Sequence, residues 1–368
     1  MHSRLLSAVC PAIASLFVLS AATSLFAQSR GDAFLPSPAR SASTISPNGD
    51  VNPYGVAFVR DNFQTGAGPL QHGDILVSNF NNAENLQGTG STIMRIPASG
   101  APSVFFRCTS MSTTPLGLST GLGTLQYGFV LVTNLPTLDG TSNTAQPGSL
   151  LVINNQGKLI QAFSGSGING PWDATYVDEG DRAIAFIANA IDGTITRLDF
   201  AVSPSGLTEL SHATIASDYR HQGDPAALFD APTGLVYDHQ RDSLYVASTL
   251  DNAVFVVHDA ARRSQSAGPG DIVYQDNTHL HGALAMAEAP NGHLLVTNND
   301  VINPDVNQPS EIVEFTKAGE FVKEISVDPN LGGSFGLAVH RVGDHSAILA
   351  AVDDNTAYLT MWTVPLDN

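Results

Sequence analysis

The sequence predicts an all-β protein built from six copies of one four-stranded unit. Three observations support this prediction: a tight turn followed by a short apolar strand occurs six times, each occurrence leads into further strand-like segments, and helix patterns are nearly absent. The segments that open the copies are residues 52–58, 114–120, 170–176, 231–237, 280–286 and 333–339. A glycine marks the turn in five copies, at Gly55, Gly117, Gly234, Gly282 and Gly336, whereas the third copy has Asp173.

Each copy continues with the same order of strands. A continuously apolar second strand follows, at residues 74–79, 129–134, 185–189, 243–248, 293–298 and 347–352. A polar turn then leads to a third strand in which apolar and polar residues alternate, as in 194–198, and a weaker fourth strand such as 158–163 completes the copy. A strand that is apolar on both faces is expected between two neighbouring layers. Six such units predict a six-bladed β-propeller of antiparallel blades, in which each blade buries both faces against the next.

The two ends of the repeat array predict how the ring closes. The last copy stops after its third strand, residues 358–364. The segment 41–46, which precedes the first copy, has the length and composition to pair there as the missing outer strand. We therefore predict that an N-terminal strand completes the last blade, and that residues 40–368 form a single propeller domain after a flexible segment, 28–39.

The N-terminus has the features of a secretory signal peptide. A short basic start, an apolar run and a small residue, Ala27, predict residues 1–27 as a signal that is cleaved, and an extracytoplasmic protein, either periplasmic or secreted. Cleavage would remove Cys10 and leave Cys108, which we interpret as a small buried apolar residue. No later stretch approaches the ~20 apolar residues of a spanning helix, so no integral membrane segment is expected after cleavage.

The charge balance restricts the classes of partner. The chain has 16 Lys and Arg against 34 Asp and Glu, a net charge of −18. Phosphate recognition needs a basic face, so a nucleic-acid partner is not expected. The partners that remain are a protein, a glycan or a small molecule.

The repeated motif resembles that of the NHL-repeat β-propellers. The resemblance lies in Pro-x-Gly-[Leu/Val]-x at the start of a copy, an apolar strand that runs into Ala/Ser/Thr-Asn, and a following Asp-Gly or Asp-Asn turn, and it covers residues 52–364. It implies the architecture more than the chemistry, because such repeats occur in non-catalytic recognition modules and in lyases. The chain also resembles the six-bladed lactonases in architecture, which implies a divalent cation held by Glu, Asn and Asp at the channel.

Strand direction predicts which residues share a face. In antiparallel blades the starts of the first strands and the ends of the second strands meet at one mouth of the central channel. Long connections between second and third strands lie on the same face in copies 1, 2 and 5, and such loops on a rigid scaffold commonly bind ligands. The residues predicted to bind a ligand at this mouth are Asn52, Tyr54, Asn79, Asn134, Trp172, Asn189 and Asn298. The alternatives are turn hydrogen bonding for the asparagines and packing between blades for Trp172.

Two residues are candidates for catalysis. Asp173 places a carboxylate near the channel in place of the repeat glycine, and His281 begins the fifth copy. They could act as a cation ligand and a general base, respectively, although a single His is often only hydrogen-bonded. The resemblance to zinc lyases implies several His at the strand starts, but only His281 has such a position. Whether a metal binds stays open, with calcium or another divalent cation as one possibility. Asn303, Asp305 and Asn307 have the spacing of part of a calcium loop, but Gln308 replaces the turn glycine and no helices are expected beside it, so an EF-hand is not expected.

Two functions are consistent with these features. The favoured hypothesis is an exported propeller that binds a ligand at its loop-rich face without catalysis. The alternative is a divalent-cation-dependent, lactonase-like hydrolase or a lyase, with Asp173 and His281 at the channel mouth. The hypotheses differ in whether these two side chains reach a common point in the channel.

Overall fold

The computed structural model describes residues 34–36, 40–107 and 116–366. The predicted signal peptide 1–27, most of the segment 28–39, and Cys108 lie outside the described residues. Within these described ranges, one short 3-10 turn, Ser142–Thr144, accompanies 26 strands. Among the described residues, no helix has the length and apolarity that crossing a membrane requires.

Six four-stranded antiparallel sheets form the blades, as predicted. The strands are numbered in chain order. Strand β1 is Arg40–Ser43. The first three blades consist of β2 (Val51–Phe58), β3 (Ile75–Asn81), β4 (Thr92–Ile96) and β5 (Ser103–Arg107); β6 (Leu118–Leu125), β7 (Phe129–Asn134), β8 (Ser149–Asn154) and β9 (Leu159–Phe163); and β10 (Pro171–Asp178), β11 (Arg182–Asn189), β12 (Thr194–Ser203) and β13 (Gly206–Ala216).

A two-stranded hairpin separates the two halves of the propeller. It is formed by β14 (Gln222–Asp224) and β15 (Leu228–Asp230), and the sequence analysis did not predict it. The last three blades consist of β16 (Pro232–Asp238), β17 (Ser243–Ser248), β18 (Ala253–His258) and β19 (Asp271–Gln275); β20 (Ala283–Glu288), β21 (Leu294–Asn298), β22 (Glu311–Phe315) and β23 (Phe321–Ser326); and β24 (Ser334–Val342), β25 (Ser346–Asp353) and β26 (Tyr358–Pro365) with β1.

The ring closes as the sequence predicts. Strand β1 pairs antiparallel with β26, with Ser41 opposite Thr360, so the sixth blade combines both ends of the chain. The closure extends upstream, because Phe34 and Leu35 are buried against the fifth and sixth blades. Their backbone N–H groups donate to the carboxylate of Glu314 at 2.8–3.0 Å.

The core lies between neighbouring blades. Successive residues of each second strand point into two different apolar clusters. In β3, Leu76 packs against the second blade whereas Val77 packs against the sixth. In β11, Phe186 packs toward the fourth blade and Ile187 toward the second. This arrangement confirms that the second strands are apolar throughout because both of their faces are covered.

Candidate functional site

The first strands of the six blades form the wall of the central channel. Each of them (β2, β6, β10, β16, β20 and β24) is the terminal strand of its sheet and is paired on one side only. In all six, the register with the second strand shifts near the start, where a bulge occurs. The other side of each strand has no strand partner. Side chains bind some of its peptide groups, as Asp173 binds the N–H of Leu235, and a ligand in the channel could meet those that remain unpaired.

The bulge explains the repeat glycine. A Cβ on Gly336 would lie 1.8 Å from the carbonyl oxygen of Tyr54 in the next blade, and a Cβ on Gly234 would lie 2.4 Å from that of Leu284. The strand register places Gly121 and Ala285 at this position in the second and fifth blades. The prediction that Gly117 and Gly282 occupy this position is wrong, because the distance from the turn to the bulge varies between blades.

Aromatic side chains fill the channel at the end where the first strands begin. Tyr54 contacts Phe335 of the sixth blade and Phe80 of its own blade, with ring centroids 4.6 and 4.9 Å apart. Trp172 contacts Tyr54 and Phe80, both at 5.7 Å, and Phe229 of the β14–β15 hairpin at 6.2 Å. All five rings are buried. We call this group (Tyr54, Phe80, Trp172, Phe229 and Phe335) the aromatic plug, and it occupies the mouth at which the sequence placed the ligand.

Below the aromatic plug the channel is a cavity of about 480 Å³. Its wall includes consecutive residues of the first strands, such as 235–237 and 336–341. Consecutive residues point to opposite faces of a strand, so both kinds line the cavity only when the edge of the strand faces it. Its rim includes Arg60, Glu288, His340 and Arg341 at the far ends of the first strands. The cavity therefore opens on the face opposite the long loops.

Asp173 is the carboxylate inside this cavity. Its side chain is buried, Oδ1 accepts the N–H of Ala174 at 2.8 Å, and Oδ2 accepts the N–H of Leu235 in the fourth blade at 3.2 Å. Burial raises the pKa of Asp173 to about 7, and the two backbone hydrogen bonds oppose that rise. Each carboxylate oxygen has a second lone pair, so both can accept another hydrogen bond. The group is therefore divided between its acid and base forms near neutral pH.

Arg60 is a cation at the opening of the cavity. Its Nη2 donates to the carbonyl oxygen of Tyr176 at 3.4 Å, and its Nη1 lies 4.0 Å from Asp178. Burial lowers the pKa of Arg60 and the Asp178 carboxylate opposes this, but a guanidinium keeps its charge in proteins. His340 stacks on Phe58 with ring centroids 5.0 Å apart. The rim of the cavity thus carries several charged side chains, whereas the charged side chain in its interior is Asp173.

The four second-strand asparagines are buried parts of the scaffold. The amide oxygens of Asn134, Asn189 and Asn298 accept the N–H of Gly117, Asn169 and His281, which lie just before the first strand of the same blade. Asn79 donates to Thr44 and Thr92. The strand register confirms that second-strand ends lie beside first-strand starts, as with Asn79 opposite Pro53. A ligand-binding role for Asn134, Asn189 and Asn298 stays a prediction that these contacts do not favour. The same role for Asn52 and Asn79, whose amide oxygens are buried without a hydrogen-bond partner, stays a prediction.

His281 lies away from Asp173. It does not line the cavity, its Nδ1 lies 2.7 Å from the carbonyl oxygen of Asn303, and its Nε2 lies 3.8 Å from Oε1 of Glu311. Glu311 is fully buried, and this burial raises its pKa to about 8. Asp173 and His281 therefore share no partner, and the structure does not bring the two predicted catalytic residues to a common point.

The residues present do not fit a divalent cation at the channel. Both oxygens of Asp173 accept backbone N–H groups, and the asparagine amides nearby bind the protein's own backbone. In the described part of the chain, no three His, Cys, Asp or Glu side chains are arranged to hold a metal ion. Asn303 is also engaged, since its amide donates to the carbonyl oxygens of Asn277 and Leu280.

Sequence reasoning missed the rim of the cavity. Arg60 follows the end of β2, and His340 and Arg341 lie near the end of β24. The signal that could have found them is the scarcity of basic residues in this acidic chain. The aromatic plug had a signal too. Large aromatic residues occur at or near the starts of the first strands, at Tyr54, Trp172 and Phe335. Because these starts surround a narrow channel, large rings there are expected to contact one another.

Comparison with known proteins supports the propeller fold but does not show to which family the chain belongs. The sequence matches no family model and no curated protein, so membership of the NHL-repeat family stays a prediction. A gluconolactonase from Xanthomonas campestris superimposes with a TM-score of 0.53 at 10% identity, covering 90% of this chain and 99% of that chain. A glucose dehydrogenase gives 0.52 at 10% identity over 90% and 99%, and a luciferin-regenerating enzyme gives 0.51 at 9% identity over 89% and 95%. These similarities show the propeller fold alone.

Proposed function

We propose that the protein is a hydrolase of small molecules that works inside the blind channel, with Asp173 as the general base. The observation that carries this proposal is the buried carboxyl of Asp173 in a cavity large enough for a small substrate, with its pKa raised to about 7. A group with that pKa can take up and return a proton at neutral pH. The three compared propellers are also named as enzymes, which agrees with a catalytic use of the fold but does not carry the argument.

The step that fits this cavity is hydrolysis of an ester or lactone. The carboxylate of Asp173 accepts a proton from water while the water oxygen bonds to the acyl carbon. The C–O bond to the leaving oxygen then breaks, and that oxygen takes the proton back from Asp173, which gives a carboxylic acid and an alcohol. Unpaired peptide groups on the first strands would orient the substrate. No step requires His281 or a bound cation.

A screen of ester and lactone hydrolysis tests the proposal. We expect turnover that rises as the pH passes through about 7, because only the ionised form of Asp173 accepts a proton. Asp173→Asn should reduce turnover by about 10²–10⁴-fold. Asp271→Asn, at an exposed position on an outer strand, is the matched control and should leave turnover unchanged. Full turnover by Asp173→Asn, in a protein with unchanged circular dichroism, would contradict the proposal.

A non-catalytic binding propeller is the second candidate. The observation that favours it is the pair of backbone hydrogen bonds by which Asp173 links the third blade to the fourth, because such bonds also suit a structural carboxylate. In that case Asp173→Asn lowers stability, no ester or lactone is turned over, and ligand binding survives. Calorimetric titration of both forms with the compounds from the screen separates the two candidates.

We also propose that the protein is exported and that residues 1–27 are removed as a signal peptide. The basic start, the apolar run and the Ala27 boundary support this proposal. N-terminal sequencing of the protein recovered from the extracytoplasmic fraction should begin at Gln28. A chain that retains Met1 in the cytoplasm would contradict it.

A further inference from the structure

Two arginines mark the open end of the channel in a protein with few cations. The chain has 16 Lys and Arg in 368 residues and a net charge of −18. Arg60 follows β2 and Arg341 lies near the end of β24, and both line the cavity. The guanidinium of Arg60 reaches β10 of the third blade, where it contacts the carbonyl oxygen of Tyr176, whereas Arg341 belongs to the sixth blade, so the two cations lie at different points of the opening.

The hydrogen-bonding capacity of Arg60 is largely unused. A guanidinium has five N–H donors, yet Arg60 makes one hydrogen bond of 3.4 Å and one ion contact of 4.0 Å. Asp178, the acid nearest to it, already accepts the N–H groups of Gln126 and Gly180 at 2.6 and 3.1 Å. Arg341 is exposed, and its guanidinium makes no hydrogen bond or ion pair with any described residue. Both cations are therefore available to a ligand.

The acid on the rim does not cancel these charges. Glu288 lines the cavity, but its carboxylate accepts the ammonium of Lys317 at 2.8 Å. Lys317 also binds Asp238 at 2.7 Å, which completes a local network separate from Arg60. Asp178 lies 4.0 Å from Arg60 and Asp61 lies 3.7 Å from His340, so the positive charge that a ligand can meet at the mouth is confined to the free donors of Arg60 and to Arg341.

The distance from the cations to Asp173 sets the size of the ligand. Arg60 contacts the carbonyl of Tyr176, which lies three residues along β10 from Asp173. Three residues of a strand span roughly 10 Å. A ligand that spans this distance is about as long as one sugar ring with its substituents. With its anionic group at Arg60, its other end would lie next to Asp173. Its middle would face the unpaired peptide groups of the first strands, which suit hydroxyl groups.

We infer that the mouth of the channel is an oxyanion subsite, in which Arg60 holds the carboxylate or phosphate of a small, hydroxyl-rich ligand whose other end reaches Asp173, and Arg341 adds a second positive charge at the opening. This inference rests on the proposed function for its position in the channel, and it adds the class of substrate. Arginine is suited to this role because its planar fork binds a carboxylate or phosphate through two hydrogen bonds at once.

Binding of three compounds that share one ring tests the inference. The probes are glucuronate, glucose 6-phosphate and neutral glucose, titrated at millimolar concentration by calorimetry into the Asp173→Asn protein, in which no turnover interferes. We expect at least one of the two anions to bind more tightly than glucose by about tenfold or more, since a hydrogen bond to a charged group is worth about twice a neutral one. The tighter of the two anions identifies the carboxylate or the phosphate as the preferred group.

Matched charge variants locate the subsite. Arg60→Gln should weaken binding of the anion by about tenfold or more and leave glucose unaffected, and Arg341→Gln should act in the same direction. Arg107→Gln removes one charge from an exposed position at the end of the outer strand β5 and should have no effect. Equal affinity for all three probes, no binding of either anion, or equal effects of Arg60→Gln and Arg107→Gln would overturn the inference. None of these results bears on the role of Asp173 in turnover, which the hydrolysis screen tests separately.

Discussion

Tyr54 of the first blade and Trp172 of the third meet edge to face, with ring centroids 5.7 Å apart and ring planes at 73°. These blades are not neighbours in the ring, so the contact crosses the axis of the propeller. Phe335 from the sixth blade and Phe229 from the β14–β15 hairpin complete the aromatic plug from other directions. The channel is consequently closed at the loop-rich face and open at the opposite face.

Tryptophan fluorescence tests the aromatic plug. The chain has two tryptophans, Trp172 and Trp362, and both are about 1% exposed. In a Trp362→Phe background we expect short-wavelength emission from Trp172 that acrylamide quenches poorly. Phe229→Ala should increase quenching and lower the free energy of unfolding by about 3 kcal/mol, because it removes the hairpin ring that covers Trp172. Phe255→Ala, a similarly buried ring between the third and fourth blades, should cost similar stability without increased quenching.

Buried acids predict that the fold is more stable at pH 5 than at pH 8. Burial raises the pKa of Asp173 and Asp354 to about 7 and that of Glu311 to about 8, whereas the unfolded chain has values near 4. The folded state therefore binds more protons than the unfolded state between about pH 4 and 8, and stability falls as pH rises through that window. The melting temperature measured across this range should decrease, and Glu311→Gln should flatten the decrease. A melting temperature that rises from pH 5 to pH 8 would contradict the assignment.

The opposite sign is expected below pH 4. Hydrogen bonds and charges from Lys317 and Arg241 hold the pKa of Asp238 at about 2 against the effect of burial. A lowered pKa contributes stability that is present above the unfolded value and is lost as pH falls toward 2. Stability should therefore be greatest near pH 4–5 and decrease on both sides. Asp238→Asn should reduce the acid-side loss.

A disulfide across the ring closure tests the pairing of the chain ends. Ser41 Oγ lies 3.1 Å from Thr360 Oγ1, and the two residues are direct partners in the β1–β26 ladder. Ser41→Cys with Thr360→Cys should crosslink on oxidation and stabilise the fold by as much as about 5 kcal/mol, because the bond closes nearly the whole chain into one loop. Cys108→Ser in both the test and control proteins removes a competing thiol. Failure to crosslink, judged against Ser41→Cys alone by electrophoretic mobility without reductant, would rule out this register.

Asn189 separates a structural role from a ligand-binding one. Its side chain accepts the N–H of Asn169 and donates to Gly167 and to the hydroxyls of Thr194 and Thr196, all at 3.0 Å. Asn189→Ala leaves these buried groups without partners, and we expect a loss of about 2–3 kcal/mol in urea unfolding. Asn62→Ala, at an exposed position, should change stability by less than about 0.5 kcal/mol. Unchanged stability of Asn189→Ala would restore the ligand-binding prediction.

The repeat pattern in the sequence was sufficient for most of the architecture. Six copies, strands such as β3 and β11 that are buried on both faces, and the pairing of β1 with β26 all follow from hydrophobic periodicity and from the need to close a sheet edge. The position of Asp173 beside the channel followed from its place in the repeat. These features are local in sequence or repeat at regular intervals, so the chain displays them directly.

The side of the ring on which the channel opens depended on the tertiary structure. Tyr54, Trp172 and Phe229 come from two non-adjacent blades and an unpredicted hairpin, so no local pattern shows that they meet. No local pattern shows the placement of two further residues either. The side chain of His281 turns toward Asn303 and Glu311 instead of the channel, and Arg60 lies at the cavity rim, where it donates a hydrogen bond to a carbonyl oxygen of β10. Periodicity fixes which face of a strand is buried, but the packing of side chains from distant blades decides which space remains empty.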